Sequence, residues 1–282
     1  MQERVSIGNV DVLAVLDMYP PGRATSFFFP DVPEESWDPY RDEQLNPEGE
    51  IVLPYCHFAI RSEGSTILVD TGMGAGPHPT RGNRTGNLLN DLKSVGISPE
   101  DVDVVVHTHL HADHVGWNIN YEGGSAKPTF PMAKYLVPRA DWEHFSQPDI
   151  LSLPQNEHIR DHVVPLENLG VMELIDGWHN ITSEISTIHT PGHTPGHQCV
   201  LINSQGACGA VVGDVIHMSV QIEHPNWCAV VDLDKATGLK SREDLLDLSE
   251  QEGMLIVAGH FKEDEHFGRV VRLHDRRYWQ VV

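Results

Sequence analysis

The stretch VVVHTHLHADHVGWN, residues 104–118, ends an apolar run with four histidines and one aspartate inside eight positions. Imidazoles titrate near neutral pH, so a packed group of them would repel itself if protonated. His109 and His111 are two residues apart and project from one side of an extended chain, whereas Asp113 and His114 follow after a turn. Neutral imidazoles and carboxylates are ligands for zinc, iron and manganese. The H-x-H-x-D-H spacing therefore predicts a site for two adjacent metal ions.

Two metal ions need more ligands than these four side chains, and the second half of the chain offers three candidates. Each follows a predicted strand: His193 in TPGHTPGH, Asp214 in VVGDVIH and His260 in LIVAGHF. A lone histidine after a strand is more often structural than a ligand, but three such positions beside the first cluster favour ligands. Placement after a strand also agrees with where α/β folds build their sites.

Asp70, in TILVDTG, ends another predicted strand, and we expect it either to orient a ligand imidazole or to close the turn. His107 lies one alternation before His109 and is assigned to the strand rather than to a metal ion. The cysteines at positions 56, 199, 208 and 228 form no C-x-x-C pair, so we expect burial. Isolated thiols and a start without a secretory pattern favour a reducing, cytoplasmic compartment.

The composition is that of a globular protein, with 282 residues of which 40% are hydrophobic and 21% charged. The 41 acidic and 19 basic residues give a formal net charge of −22, which disfavours nucleic acid and anionic membranes as partners. The chain also lacks an apolar run of about eighteen residues, the length of a membrane span. We therefore expect a small-molecule substrate, with neither nucleic acid nor membrane as a partner.

Strand and helix patterns alternate along the chain and predict an α/β fold with mixed sheets. The predicted strands cover residues 5–16, 51–60, 66–70, 102–107, 185–189, 199–203, 210–213 and 254–258, with an edge strand in RVVRLHDRRYW. The predicted helices cover residues 86–96, 139–145 and about 240–252. Residues 120–180 read as a looser insert. The Pro-rich segment 18–48, with its Phe27–Phe29 run, would form a lid, a dimer contact or a packed irregular loop.

The elements VDTG, HTHLHADH, TPGHTPGH, VVGDVIH and AGHF, in this order, resemble the metallo-β-lactamase fold superfamily. The resemblance implies one domain over residues 1–282, a four-layer αβ/βα sandwich and a dinuclear site at one sheet edge. It also implies two divalent ions, zinc first, with iron, manganese or cobalt as alternatives. The implied ligands are His109, His111 and His193 for the first ion, Asp113, His114 and His260 for the second, and Asp214 as the bridge. His197, the second histidine of its motif, is then structural.

Two longer stretches, GDVIHMSVQIEHPNW and GHFKEDEHFGRVVR, resemble the branch that contains methyl parathion hydrolase and quorum-quenching lactonases. This resemblance implies that a metal-bridging hydroxide attacks a small ester, lactone or phosphotriester, and it is compatible with a homodimer. The chain departs from the branch at residues 262–265, where KEDE replaces an expected apolar, proline-containing turn. That departure puts the apolar pocket of the phosphotriester enzymes in doubt.

Two side chains are candidate catalytic residues. Asp113 could accept a proton from the attacking water and pass it to the leaving group. The quorum-quenching lactonases supply a tyrosine soon after the bridging aspartate, but no tyrosine lies between Asp214 and His260 here. His217 is the nearest replacement, with structural packing as its alternative role.

Other activities of the same fold remain alternatives. A glyoxalase II-like thioesterase shares all the ligands, a persulfide dioxygenase-like oxygenase uses one iron with fewer ligands, and a binding module would keep the fold without turnover. The complete ligand set favours two metal ions and hydrolysis. Nuclease members of the superfamily fit poorly with such an acidic chain.

Overall fold

The computed structural model describes residues 4–282, and its strands form two large sheets of seven strands each. The first sheet contains, in spatial and chain order, β1 (Arg4–Ile7), β2 (Val10–Met18), β3 (Tyr55–Ser62), β4 (Ser65–Val69), β5 (Val104–Val106), β6 (Lys134–Pro138) and β7 (Met172–Ile175). Neighbours from β1 to β4 are antiparallel, and β4 to β7 run parallel. The sheet is therefore mixed, as predicted.

In the second sheet, too, the strands lie side by side in chain order. It contains β8 (His179–Asn180), β9 (Ile185–His189), β10 (Gln198–Ser204), β11 (Ala207–Val211), β12 (Leu255–Val257), β13 (Phe267–Leu273) and β14 (Arg276–Val281). Only β11 and β12 pair in parallel, because a long helix connects them. Two short ribbons, Arg23–Ala24 with Glu50–Ile51 and Ile119–Asn120 with Lys127–Pro128, lie outside the two sheets.

Nine α-helices accompany the sheets over the described range. They are α1 (Thr25–Phe28), α2 (Arg41–Gln44), α3 (Leu88–Ser94), α4 (Ala112–Val115), α5 (Arg139–Phe145), α6 (Pro148–Leu151), α7 (Val164–Asn168), α8 (Val220–Glu223) and α9 (Lys235–Glu252). Short 3₁₀ turns include Glu34–Tyr40, Pro79–Arg81 and Gly213–Val215, and a π-helical turn covers Ile159–Val163. Within residues 4–282, no helix has both the length and the hydrophobicity that a bilayer crossing requires.

Three apolar clusters arrange these elements in layers. The two sheets face each other across a core that includes Val12 and Phe58 from the first sheet and Val200 from the second. On the outer face of the first sheet, α3 packs through Leu88, and on the outer face of the second, α9 packs through Leu245. Burial of both faces of each sheet produces an α, β, β, α arrangement. The predicted four-layer sandwich is confirmed.

Two segments that were predicted as single strands are hairpins. Residues 5–16 divide into β1 and β2 at Gly8, which has φ of +60° and where a Cβ would lie 2.2 Å from the carbonyl oxygen of Ser204. The closing RVVRLHDRRYW stretch divides into β13 and β14 around His274, which has φ of +55°. In each case the turn has only two residues, Gly8–Asn9 or His274–Asp275, and strand residues resume directly after it, so the sequence pattern reads as one strand.

Three other segments differ from the sequence-based expectation: a helix begins earlier, the insert contributes two strands, and the Pro-rich segment is partly buried. α9 begins at Lys235 rather than near residue 240, because the Asp234 side chain caps it by accepting hydrogen bonds from the backbone N–H groups of Ala236 and Thr237. Residues 120–180 supply β6 and β7 to the first sheet. In the Pro-rich segment, Phe29 is buried among aromatic residues, whereas Phe27 is 57% exposed.

Asp17, at the end of β2, anchors the long loop that follows β4. Its buried carboxylate accepts hydrogen bonds from the backbone N–H groups of Met73, Asn87 and Leu88 and from the indole of Trp117. A buried carboxylate is stable only when such donors replace water. Asp17 therefore holds the two ends of the 73–88 loop against the region of α4.

Candidate metal centre

The predicted ligands lie where strands of both sheets end. The loop after β5 and the one-turn helix α4 present the H-x-H-x-D-H residues, and three strands of the second sheet each precede one further candidate. From the first sheet these are His109, His111, Asp113 and His114; from the second they are His193 after β9, Asp214 after β11 and His260 after β12. The structure brings all seven together in two adjacent groups.

Three imidazoles form the first group. Nε2 of His193 lies 3.2 Å from Nε2 of His109 and 2.9 Å from Nδ1 of His111, and the latter two atoms are 3.1 Å apart. Oδ2 of Asp214 lies 3.4 Å from Nε2 of His193 and 3.8 Å from Nε2 of His109. Three ring nitrogens and one carboxylate oxygen thus surround a common point, which is the donor set of a four-coordinate metal ion.

Asp113, His114 and His260 form the second group. Nε2 of His260 and Nε2 of His114 lie 3.1 Å and 3.4 Å from Oδ1 of Asp214. The carboxylate oxygens of Asp113 approach the same two imidazole nitrogens, each at 3.9 Å. Asp214 therefore turns one oxygen toward each group.

Hydrogen bonds on the outer side of the imidazoles fix which nitrogen faces inward. Each of four rings is hydrogen-bonded through Nδ1: His109 to Oγ1 of Thr108, His114 to Oδ2 of Asp70, His193 to Oδ1 of Asp232 and His260 to the carbonyl oxygen of Pro54. An acceptor at Nδ1 keeps the proton there and leaves the Nε2 lone pair for a metal ion. Nε2 of His114 is buried and has no hydrogen-bond partner in the described chain. The residues present therefore fit two divalent cations.

The charges in the cluster also favour the binding of cations. Burial, reinforced by the positive charge of neighbouring histidines, holds the pKa of His109 and of His111 well below the usual value, so both rings are neutral. Burial acts to raise the pKa of Asp214, but the surrounding imidazoles outweigh it and hold that pKa well below its usual range. Burial also opposes charge on His114, yet the carboxylates of Asp214, Asp70 and Asp113 hold its pKa well above the usual value. The buried carboxylates thus attract positive charge, which divalent cations would supply.

A family model described as the metallo-beta-lactamase superfamily matches residues 58–260, a span that contains all seven of these side chains. The chain belongs to this superfamily. An N-acyl homoserine lactonase from a Bacillus species is 27% identical over 236 residues, which cover 78% of this chain and 86% of the relative.

Two solved structures show the same superfamily fold over nearly the whole chain. A crystal structure of AbOPH, a hydrolase in the beta-lactamase superfamily, has a TM-score of 0.85 at 23% identity and covers 99% of this chain and 96% of that one. AidC, a dizinc quorum-quenching lactonase in complex with its product N-hexanoyl-L-homoserine, has a TM-score of 0.82 at 21% identity with the same coverage.

Asp70 lies behind the second group of this superfamily site. Its carboxylate accepts hydrogen bonds from the backbone N–H and the hydroxyl of Thr108, at 2.8 Å and 2.7 Å, and from Nδ1 of His114 at 2.8 Å. Asp70 thus both orients an imidazole and closes the turn, so the two alternatives weighed for it coexist. His107 is fully buried with Nδ1 3.6 Å from Oδ1 of Asp70, and it stands outside the two candidate metal groups.

The two other histidines considered from sequence have different surroundings. His197 accepts a hydrogen bond from the backbone N–H of Asp214 at 2.9 Å, so it positions that residue from behind. His217 has Nε2 3.4 Å from Oδ2 of Asp214, and neither of its ring nitrogens has a hydrogen-bond partner within residues 4–282. Its ring stacks on His260 with centroids 6.0 Å apart and meets Phe28 edge-on at 5.5 Å. His217 therefore faces the site with unused hydrogen-bonding capacity.

Sequence reasoning missed two buried carboxylates that shape the site. Asp232 binds Nδ1 of His193 through Oδ1 at 3.0 Å, and its Oδ2 lies 3.3 Å from a guanidinium nitrogen of Arg242. Asp141 accepts hydrogen bonds from the backbone N–H groups of Leu110 and Gly196, so it joins the two histidine-bearing loops. Burial raises the pKa of Asp141 to about 6. Neither aspartate sits in a recognisable motif.

We expect Asp232→Asn to weaken zinc binding by about tenfold to a hundredfold, because the neutral amide holds His193 less firmly and lowers its basicity. Competition with a chromophoric chelator measures this affinity. Asp244→Asn, on the exposed face of α9 where Asp244 pairs with Lys240, is the matched control and should bind zinc like the wild type. Equal affinity in both variants would show that Asp232 does not tune the ligand.

Proposed function

We propose that this protein is a hydrolase of small lactones and esters that works with two divalent metal ions, zinc being the first expectation. One observation carries the proposal: the Asp214 carboxylate faces His109 and His193 with one oxygen and His114 and His260 with the other. A carboxylate shared in this way is the natural bridge of a dinuclear centre. The curated relative that carries the name N-acyl homoserine lactonase supports a lactone or ester as the substrate.

Two divalent ions held by these residues would supply an activated water molecule and would polarise the substrate carbonyl. The remaining steps fall to the side chains. The Asp113 carboxylate is 16% exposed, and its oxygens lie 3.9 Å from Nε2 of His114 and of His260. It can therefore reach both the site and incoming water, and we assign it the transfer of the proton from water to the leaving oxygen.

We assign His217 the role of donating a hydrogen bond to the leaving oxygen of the substrate. It is buried beside Asp214, and it occupies the stretch after that residue in which the chain has no tyrosine. Its ring nitrogens have no partner in the described chain, so a hydrogen bond to a substrate oxygen would satisfy an otherwise unpaired buried group. This contact matters most for aliphatic lactones, whose alkoxide leaving groups are poor without a hydrogen-bond donor.

The function is tested with the metal-reconstituted protein and a panel of lactones, aryl esters, a phosphotriester and a glutathione thioester. We expect about two metal ions per chain by elemental analysis and the highest kcat/KM on lactones or esters. Preference for the thioester would assign a glyoxalase II-like function instead. One iron per chain with oxygen uptake on a persulfide would assign an oxygenase and overturn the proposal.

Asp113→Asn should lower kcat by about a hundredfold or more, because the amide cannot accept the proton that water releases. The rate is measured on the best substrate of the panel, after elemental analysis of the variant. Since Asp113 is also a proposed ligand, metal content close to the wild type is needed to assign the loss to proton transfer. Near-normal turnover with full metal content would exclude that role.

His217→Phe should slow aliphatic lactones by about tenfold or more while leaving 4-nitrophenyl esters within about twofold, because 4-nitrophenolate leaves without help. His217→Gln, which keeps a hydrogen-bond donor, is the matched control and should retain part of the lactone activity. Comparable losses on both substrate classes would mean that His217 only packs against the metal centre.

A further inference from the structure

Three arginines in and beside the 73–88 loop form no ion pair in the part of the chain that the structure describes, although the chain carries 41 acidic and only 19 basic residues. Within residues 4–282, no carboxylate lies at ion-pair distance from Arg23, Arg81 or Arg84. Arg23 donates instead to the carbonyl oxygen of Thr80 at 3.2 Å, and Arg84 donates to the carbonyl oxygen of Tyr19. Guanidinium groups that form no ion pair contribute positive potential to an otherwise acidic surface.

Of the three arginines, Arg81 is the one that contacts a neighbour of the candidate metal ligands, Tyr55. It is partly buried, its Nε donates to the hydroxyl of Tyr55 at 2.6 Å, and its guanidinium carbon lies 5.9 Å from the centroid of that ring. Nη1 makes only 3.4 Å contacts with Thr80, and Nη2 has no hydrogen-bond partner in the described chain. The group is therefore fixed in position while much of its donor fork remains available.

Tyr55 links Arg81 to the metal ligands. Its ring is buried and meets the ring of His260 edge-on, with centroids 5.7 Å apart. The guanidinium thus lies one side chain away from His260 of the second ligand group.

Arg23 approaches the site from the other side of Thr80. Its guanidinium carbon lies 5.4 Å from the centroid of the exposed Phe27 ring. The next residue, Phe28, meets His217 edge-on at 5.5 Å. Arg23 thus contacts the residue that precedes Arg81 and stacks on the ring that precedes Phe28, the neighbour of His217.

We propose that Arg81, assisted by Arg23, binds a carboxylate that the substrate carries at a distance from the bond to be hydrolysed. The preferred substrate is then an ester or lactone with an apolar spacer that ends in a carboxylate, an inference that rests on the proposed hydrolase function. A carboxylate matches the planar fork of a guanidinium through two parallel N–H···O bonds. Since Arg81 forms no ion pair within the described chain, an anion from outside can complete the pairing.

The anion contact is made equally before and during the reaction, so its loss should appear in KM rather than in kcat. We compare the 4-nitrophenyl half-ester of suberic acid with the same ester in which a carboxamide replaces the far carboxylate. The wild type should favour the carboxylate ester by about tenfold in kcat/KM, the range of a charge-assisted hydrogen bond. This preference should weaken as salt is added.

Arg81→Ala should abolish the preference by raising KM for the carboxylate ester about tenfold, with the carboxamide ester unaffected. Arg81→Lys should keep part of the preference, because it retains charge without the fork. Arg61→Ala, at the opposite end of β3 from Tyr55, is the matched control and should behave like the wild type. Equal losses on both esters in Arg81→Ala would show a structural role and overturn the proposal.

A binding measurement separates this inference from the hydrolase assignment. The anilide of suberic acid carries the same far carboxylate but an amide in place of the ester. Calorimetry should show that the wild type binds it about tenfold more tightly than the corresponding carboxamide, a difference that Arg81→Ala removes. Absence of turnover with this difference intact would overturn only the proposed function. Turnover of both esters without any charge preference would overturn only the role of Arg81.

Discussion

The buried carboxylate of Asp214, held between two groups of imidazoles, is the constraint on which the site depends. An ionised carboxylate in a dry interior is costly unless positive charge or donors surround it. Its backbone is placed by Gly213, which has φ of +54° and where a Cβ would lie 2.7 Å from Nε2 of His197 and 2.9 Å from Cβ of Thr108. A side chain at Gly213 would push apart the contacts that aim the carboxylate.

The precision of the centre comes from residues that never face it. Thr108, Asp70, Asp232 and the carbonyl of Pro54 each hold the outer nitrogen of one imidazole. Asp141 acts less directly: it holds the loops that carry the histidines, because it accepts hydrogen bonds from their backbone and not from the imidazoles. The inward lone pairs of these four imidazoles are therefore set by residues from both halves of the chain, and a shift of one sheet relative to the other would disturb the geometry of both groups.

The ligand candidates could be predicted because each signal is local, whereas the layer order followed from the resemblance of the motifs to a known superfamily. A short motif after an apolar run contains all the information needed to propose His109, His114 or His193. The supporting residues could not be predicted, because their partners are distant: Asp232 binds a side chain 39 positions away, and Asp141 binds a backbone group 55 positions away. One aspartate among many acidic residues gives no sign of such a contact. The turn at Gly8 was also missed. Glycine is required there because Ser204 of the opposite sheet lies against it, a contact that the local sequence does not reveal.

The division of the candidate ligands between the sheets has a consequence for how the protein would acquire metal ions. His109 belongs to the first sheet, whereas His193, Asp214 and His260 follow strands of the second, so no contiguous fragment that contains only one sheet has a complete coordination sphere. During biosynthesis, the first group would be complete only after Asp214, which follows β11, has emerged, and the second only after His260, which follows β12, has emerged. A nascent chain that ends before β11 would carry the histidine-rich segment of the first half without the Asp214 carboxylate, and such a partial ligand set would bind metal ions weakly and with little selectivity.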